Sequence, residues 1–320
     1  MSYKLIDVII PAFNSHKTIK KTLASISIQT IKHKISVIIV NDGGEDYEDI
    51  IKFFSSELDL REIKIKNSGP GAARQAGVDS TTNKYIFFVD SDDLLFDCFS
   101  IENLLQKISE DENIVYVNSS FIEENVGREY SKKPSNENWL FGNLYQRSFI
   151  EENNIRFPEI RANEDVIFNM EIRILAKKLN KKILFYDQVT YLWKWNEKST
   201  TRKNIDNYFY FESPYSVMKE QHSLFKKYKV EETSEELWNA LWNAYYFWSN
   251  SFLWKEMPEV QRKKLFLAIL DFYQDFFKFF KFFDEKEVKK WTTELNYIWN
   301  LDYEKSFEEF IEILDRQIKS

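Results

Sequence analysis

Three aspartates fall within four residues at Asp90-Ser91-Asp92-Asp93, directly after the apolar run Tyr85-Ile86-Phe87-Phe88-Val89. Carboxylates at i and i+2 on a turn suit a hard divalent cation that also holds phosphate oxygens. An acidic turn that only caps the next helix has the same composition, because aspartate favours N-caps. Three further polar stretches close apolar runs in the same way: Pro11-Ala12-Phe13-Asn14, Asn41-Asp42-Gly43-Gly44, and the segment Asn67-Ser68-Gly69-Pro70-Gly71 leading to Arg74 and Gly77. If those runs are parallel strands, all four stretches lie at one sheet edge. There an open α/β sheet binds ligands, in the crevice outside its strand carboxyl ends.

The elements needed to position them are legible as a pattern. Apolar stretches at residues 5–10, 35–40, 62–66 and 84–89 read as strands, with helical periodicity at 18–29, 47–58 and 71–78 between them. This alternation predicts a parallel sheet flanked by helices. A further strand is expected at 114–122, an irregular or hairpin region at 126–139, and a helix at 165–178. That helix carries Val166, Ile167, Met170, Ile174 and Leu175 on one face, and a strand follows at 182–186.

The character changes after about residue 201. Thr233-Ser234-Glu235-Glu236 is a capping-box pattern ahead of Leu237, Leu241, Tyr245, Trp248 and Phe252. Pro258 suits the first turn of a following helix, and Ser306-Phe307-Glu308-Glu309 is a second capping box ahead of Phe310, Ile311, Leu314 and Ile318. The chain is therefore divided into an α/β domain, 1–204, and an all-helical extension, 205–320.

Composition narrows the function classes. A chain of 320 residues that is 43% hydrophobic can bury a large core. A net charge of −7, with no Lys/Arg cluster interleaved with aromatics, argues against nucleic acid as a partner. One cysteine, Cys98, excludes an internal disulfide framework and fits a reducing compartment. The first strand begins without a basic leader or an apolar core of about 7–15 residues like that of a signal peptide. No apolar run approaches the ~18–20 residues that span a bilayer. The expected location is cytoplasmic, with a peripheral position at the inner membrane face also compatible.

The ordered set of motifs closely resembles the inverting glycosyltransferases of family 2, which have the GT-A nucleotide-diphospho-sugar transferase fold. Downstream, Ala162-Asn163-Glu164-Asp165 and Tyr191-Leu192-Trp193-Lys194 running to Ser199-Thr200-Thr201 continue the resemblance, which covers roughly residues 3–201. It implies a UDP-sugar donor and a Mn²⁺ or Mg²⁺ ion. Asp92 is then the metal ligand, and Asp90 holds the ribose hydroxyls or reaches the metal through water. Asp93 is read instead as a helix cap. Asp42 accepts a hydrogen bond from the uracil N3–H, or else serves only as a turn residue before Gly43. Asn41 stands where the family commonly has a second aspartate. Pro11, Asn14 and Ser91 line the donor site. Arg74 offsets charge near the base or pyrophosphate, and Gly69 and Gly71 let the backbone turn beside the ligand. Lys194 sits in a loop that can close over the diphosphate. Asp165 matches the family's acceptor-side base, and Glu164 is the better candidate for capping the helix.

The expected reaction moves a hexose or N-acetylhexosamine to a hydroxyl of a glycan, lipid-linked or protein-linked acceptor, in bacterial surface polysaccharide, teichoic acid or protein-glycan assembly. A non-catalytic glycan-binding or scaffolding partner is the alternative. A nucleotidyltransferase is disfavoured because no Gly-rich loop follows the first strand, and a dinucleotide oxidoreductase because no G-x-G-x-x-G does. In the extension, Phe272, Phe276, Phe279, Phe280 and Phe283 share a helical face, with Tyr273, Phe277 and Phe282 broadening it and Lys278 and Lys281 between. Such a face is a core, a subunit interface or a membrane-surface contact. Trp238, Trp242, Trp248 and Trp254 suggest an acceptor site or a homo-oligomer contact, since aromatic faces stack on sugars and dominate interfaces.

Overall fold

Strand β1, Ile6–Ala12, is buried along its whole length except for half-buried Pro11. Four of its first five residues are Ile or Val, as suits a strand covered on both faces. Strand β2, Ile35–Asp42, pairs with it in parallel, and β3, Asp59–Ile65, pairs with β2 in parallel. The chain then crosses back, and β4, Tyr85–Phe88, joins the other side of β1, its last pair being Ile9 with Phe88. Pro11 lies beyond that pair. A proline cannot donate to a ladder, and it stands where β1 and β4 have already parted. The crossing makes β1 and β4 the switch point of the sheet, where a crevice must open.

The computed structural model describes residues 3–196, 212–230, 235–249, 256–276 and 306–319. The chain divides into two compact units, Met1–Arg202 and Lys203–Ser320. In the first, β5 (Leu94–Leu95), β6 (Ile114–Glu124), β7 (Tyr130–Lys133), β8 (Asn143–Gln146) and β9 (Lys182–Trp193) complete a nine-stranded sheet. Its order is β3-β2-β1-β4-β8-β6-β9-β5, with β7 on β6. The expected parallel arrangement holds across the first four strands; β8 is antiparallel to both β4 and β6, and β9 returns parallel to β6. The strand expected at 182–186 runs on to Trp193, because its second half pairs with β6 and β5.

Helices α1 (Ile19–Ser27), α2 (Glu48–Phe54) and α4 (Ser100–Ile108) cover one face, packing Leu23, Ile26, Ile50, Phe54 and Leu104 on the inward residues Val8, Ile10, Val37 and Ile39. Helix α3 (Pro70–Asp79) lies on the other face, so close that a Cβ on Gly77 would come within 2.4 Å of the Ile9 side chain. A short α5 (Arg147–Glu152) precedes α6 (Glu164–Lys178). Phe168 of α6 stacks on Phe157 at 4.0 Å and meets Phe88 edge-on. Rings packed this way are worth about 0.5–1.5 kcal/mol per pair beyond their burial.

The described elements of the second unit are all helices: α7 (Ser213–Tyr228), α8 (Glu235–Ser249), α9 (Glu259–Asp275) and α10 (Phe307–Lys319). The capping box at the start of α10 forms reciprocally: Glu309 N donates to Ser306 Oγ at 3.2 Å and Ser306 N to Glu309 Oε2 at 2.9 Å. Pro258 is the N-cap of α9 and not a first-turn residue. Its fixed φ suits the extended geometry found there. Trp238, Trp242 and Trp248 are buried, and Trp242 stacks on Phe307 at 5.9 Å while Trp248 meets Phe310. Phe272 and Tyr273 are buried as well, with Phe276 against Phe225. These rings pack on one another in the unit's own interior. Thr233, Ser234, Phe252, Trp254, the aromatic run 277–283 and Ser199-Thr200-Thr201 lie outside the described residues. No described helix is long and apolar enough to cross a membrane.

Candidate active site

The carboxyl ends of β1, β2 and β4 carry the site. After β1 the chain turns through Asn14, exposed and left-handed at φ 51°. The β2 loop packs against it so tightly that a Cβ on Gly44 would stand 2.6 Å from Asn14 Oδ1. Asn41 fixes that loop: its Oδ1 accepts from Gly44 N, and its Nδ2 donates to Glu45 O and Glu62 Oε1. The residue that departs from the family pattern is thus a loop brace.

Asp42, buried at the end of β2, accepts from Ser68 N at 2.7 Å and from Gly69 N at 2.9 Å. It organises the turn into α3, where Gly69 at φ 90° adopts a backbone that side chains other than glycine resist. Gly71 serves a different need from the expected tight turn. It is helical, and its missing side chain lets Glu164 approach to 3.0 Å of where a Cβ would be.

One turn into α3, Arg74 is buried, not the surface salt bridge its residue type commonly makes. Its Nη2 donates to Asp90 Oδ1 at 2.6 Å, and its Nη1 donates to Glu164 Oε1. Burial works against the cation, but Asp90, Glu164 and Asp165 together outweigh it and hold the guanidinium firmly protonated. Glu164 does not cap α6. Asn163, left-handed at φ 61°, occupies the N-cap, and Glu164 is the first helical residue, buried against Arg74. Burial pushes the Glu164 carboxyl up, with Arg74 opposing.

Asp165 is half-buried beside it, its Oδ1 accepting from Val166 N at 2.9 Å. Burial, then the Glu164 charge, raise its pKa to about 7, Arg74 pulling the other way. A carboxylate so poised can accept and release a proton near neutral pH. A polar chain secures its helix. Asn143 Nδ2 donates to Tyr145 Oη and Tyr145 Oη to Asn169 Oδ1, each at 2.7 Å, one turn beyond Asp165.

The 90–93 turn divides its labour. Asp90, Ser91 and Asp92 are half-buried at the crevice. Asp93 is not the expected helix cap. It is almost fully buried, because the chain enters β5 before α4 begins at Ser100. Its oxygens accept from Tyr191 Oη and Lys194 N at 2.7 Å each. Burial, then the charges of Asp92 and Asp90, push its carboxyl well up. Asp92 Oδ2 accepts from Asn196 Nδ2 at 2.7 Å. Lys194 places only its backbone here; its ammonium donates to buried Glu124 at 2.6 Å and faces the Tyr130 ring.

Asp90 and Asp92 offer hard oxygen donors of the kind Mg²⁺ and Mn²⁺ take. Among the described residues no three His, Cys, Asp or Glu side chains form a metal cage by themselves. An ion here fits as one that also takes phosphate oxygens. The sequence reading missed Glu164, Tyr191, Asn196 and Glu124 as supports. Glu164 left a signal as one of two adjacent acids opening a helix, and Tyr191 as the first residue of the Tyr191-Leu192-Trp193-Lys194 motif; Asn196 and Glu124 left none.

Residues 7–168 match the family model Glycosyl transferase family 2. The glycosyltransferase GlyA of Streptococcus pneumoniae is 31% identical over 212 residues, 57% of this chain and 30% of that protein. The poly(ribitol-phosphate) beta-N-acetylglucosaminyltransferase TarP of Staphylococcus aureus is 27% identical over 258 residues, 70% of this chain and 78% of its own. The chain thus spans less than a third of GlyA's length. The structure of S. aureus TarS 1–349 in complex with UDP-GlcNAc shares the fold at a TM-score of 0.66 and 19% identity, covering 84% of this chain and 81% of that one.

Proposed function

The chain belongs to glycosyl transferase family 2, and we propose that it is a metal-dependent, inverting glycosyltransferase that moves a hexose or N-acetylhexosamine from a UDP-sugar to an acceptor hydroxyl. The observation that carries this reading is Asp165, half-buried, with its pKa raised to about 7 and tied through Glu164 and Arg74 to Asp90 at the end of β4.

Asp42 and the Ser68-Gly69 turn it holds receive the uracil, with Pro11 and Asn14 along the same edge. Asp90 and Ser91 face the ribose and diphosphate. Asp92, with Asp90, would hold Mn²⁺ or Mg²⁺, which supplies Lewis-acid stabilisation of the departing diphosphate. Asp165 accepts the proton of the acceptor hydroxyl as its oxygen forms a bond to the anomeric carbon. The bond from that carbon to the phosphate oxygen breaks on the opposite face, and its electron pair leaves with UDP. Attack opposite the leaving group inverts the anomeric centre. Lys194 is held by Glu124, so any contact it makes with the diphosphate requires it to exchange partners.

The acceptor is proposed to be a hydroxyl on a surface polymer of the polyol-phosphate type. Relatives named as poly(ribitol-phosphate) glycosyltransferases of Staphylococcus aureus and Bacillus spizizenii support that choice, and the UDP-GlcNAc complex of TarS supports the donor class.

Calorimetric titration of UDP, with Mn²⁺ and then with a chelator, tests the donor side. Binding that needs the metal and is lost in Asp92→Ala is the expected result. No binding under either condition sinks the donor assignment, whereas binding without turnover of any UDP-sugar would favour the scaffolding alternative.

A further inference from the structure

The buried ion pair between α3 and α6 is not explained by donor binding. Arg74 spends both ends of its fork on protein carboxylates, Asp90 after β4 and Glu164 opening α6. We propose that Arg74 and Glu164 are a positioning pair for Asp165, a single guanidinium fastening the first turn of α6 to the end of β4. The assignment rests on Asp165 being the acceptor-side base.

Three observations point the same way. First, α6 opens at a left-handed Asn163, and its first helical residue, Glu164, is wedged against Gly71, where a Cβ would stand 3.0 Å from its Cγ, and bonded to Arg74. Secondly, the two carboxylates come from elements 74 residues apart, and a planar fork can hold both at fixed angles where an ammonium cannot. Thirdly, Arg74 is the cation that offsets Asp90, Glu164 and Asp165 together. A glutamate serving only the helix dipole belongs on the surface of the first turn, not buried against an arginine from another helix.

The charged and titratable groups around Asp165 are Arg74 from α3, Asp90 after β4, Glu164 on its own helix and the Tyr145 phenol of β8. Neutralising Glu164 removes a like charge, so Asp165 becomes more acidic. Keeping the Arg74 charge while removing its fork leaves the acidity of Asp165 near its original value but loosens the turn.

The test is the pH profile of kcat/KM in the full-length protein for wild type, Glu164→Gln and Arg74→Lys, with Asp165→Asn as control. In Glu164→Gln the acid limb should move to lower pH by about half to one unit, with kcat reduced roughly tenfold by loss of alignment. Arg74→Lys should lose kcat by a similar factor with its limb within a few tenths of a unit of wild type. A Glu164→Gln enzyme with both limb and kcat at wild-type values overturns the pair. If that variant does not fold, Gly71→Ala reads the same contact, since its methyl presses on Glu164 without changing charge. A lowered kcat with an unmoved limb supports the pair, and wild-type kcat overturns it. Turnover retained in Asp165→Asn would overturn the base and the pair together, whereas an inactive Asp165→Asn beside an unaltered Glu164→Gln overturns the pair alone.

Discussion

The two units bury different things. In Met1–Arg202 the interior holds ionisable groups: Arg74, Asp93, Glu124 and Glu164 are each less than a tenth exposed. In the described helices of Lys203–Ser320 the buried polar residues are Ser213, Gln221 and Ser249, none of them charged, and the rest of the interior is apolar, aromatic rings packed with Leu, Ile, Ala and Met. Charge there stays near the surface, as in Asp275 with His222 and Lys226. Taking an ion out of water costs several kcal/mol even after relaxation, and breaking a buried pair is worse than never having made it. A fold that keeps such groups inside gives up stability for geometry and electrostatics, and two of them, Arg74 and Glu164, stand between the proposed base and Asp90 at the donor edge. Buried rings are the opposite case, because area removed from water stabilises without specifying chemistry. The helical unit's aromatic faces therefore speak for its own stability, and the N-terminal unit's buried ionisable groups for a site.

That contrast is most exposed at Asp165. Asp165→Asn should lower kcat by about 10²–10⁴-fold and abolish the acid limb near pH 7, measured with a UDP-sugar as donor. Its stability effect has the opposite sign. The folded pKa of about 7 lies above that of an unfolded aspartate, so the wild-type fold loses stability as pH rises from about 4 through 7. The asparagine variant should melt higher than wild type at pH 8 and no higher near pH 4. Lower melting at both would show that the carboxylate stabilises the fold, and the contrast would fail at its centre. Next comes Arg74→Leu, which leaves Asp90 and Glu164 buried without their cation. A loss of roughly 3–5 kcal/mol is expected by denaturant unfolding; a neutral result would mean the carboxylates neutralise freely and the fork does not matter.

How much of this was visible beforehand depends on the range of the interaction. The Ile/Val runs of β1 and β2 and the turns after them were legible because periodicity and turn chemistry are local. So was the Ser306 box, since a capping box is four consecutive residues. Strands β5 and β8 were not, because they are short and exist only through their neighbours. The roles of Asp93 and Glu164 were misread as caps because an acid near a helix start usually is one. What made them otherwise, Tyr191 and Arg74, lies 98 and 90 residues away. The Trp and Phe faces of the extension were visible as faces, yet a face does not say what covers it.

The smallest effects belong to the helical unit and ask whether its packing is as independent of chemistry as its interior suggests. Trp242→Phe removes part of a ring stacked on Phe307 and should cost about 1–2 kcal/mol, with UDP affinity unchanged. Ser306→Ala removes the hydroxyl that accepts from Glu309 N at the start of α10 and should cost about 1 kcal/mol. This substitution is the sharper of the two because it leaves the aromatic interior untouched and alters one hydrogen bond at an exposed helix end. Scanning calorimetry should show a lowered transition for the variant, while UDP titration with Mn²⁺ should return the wild-type affinity. If so mild a change in α10 weakened nucleotide binding several-fold, the helices would be shaping the donor site. The division between a unit that carries chemistry and a unit that carries packing would then have to be abandoned.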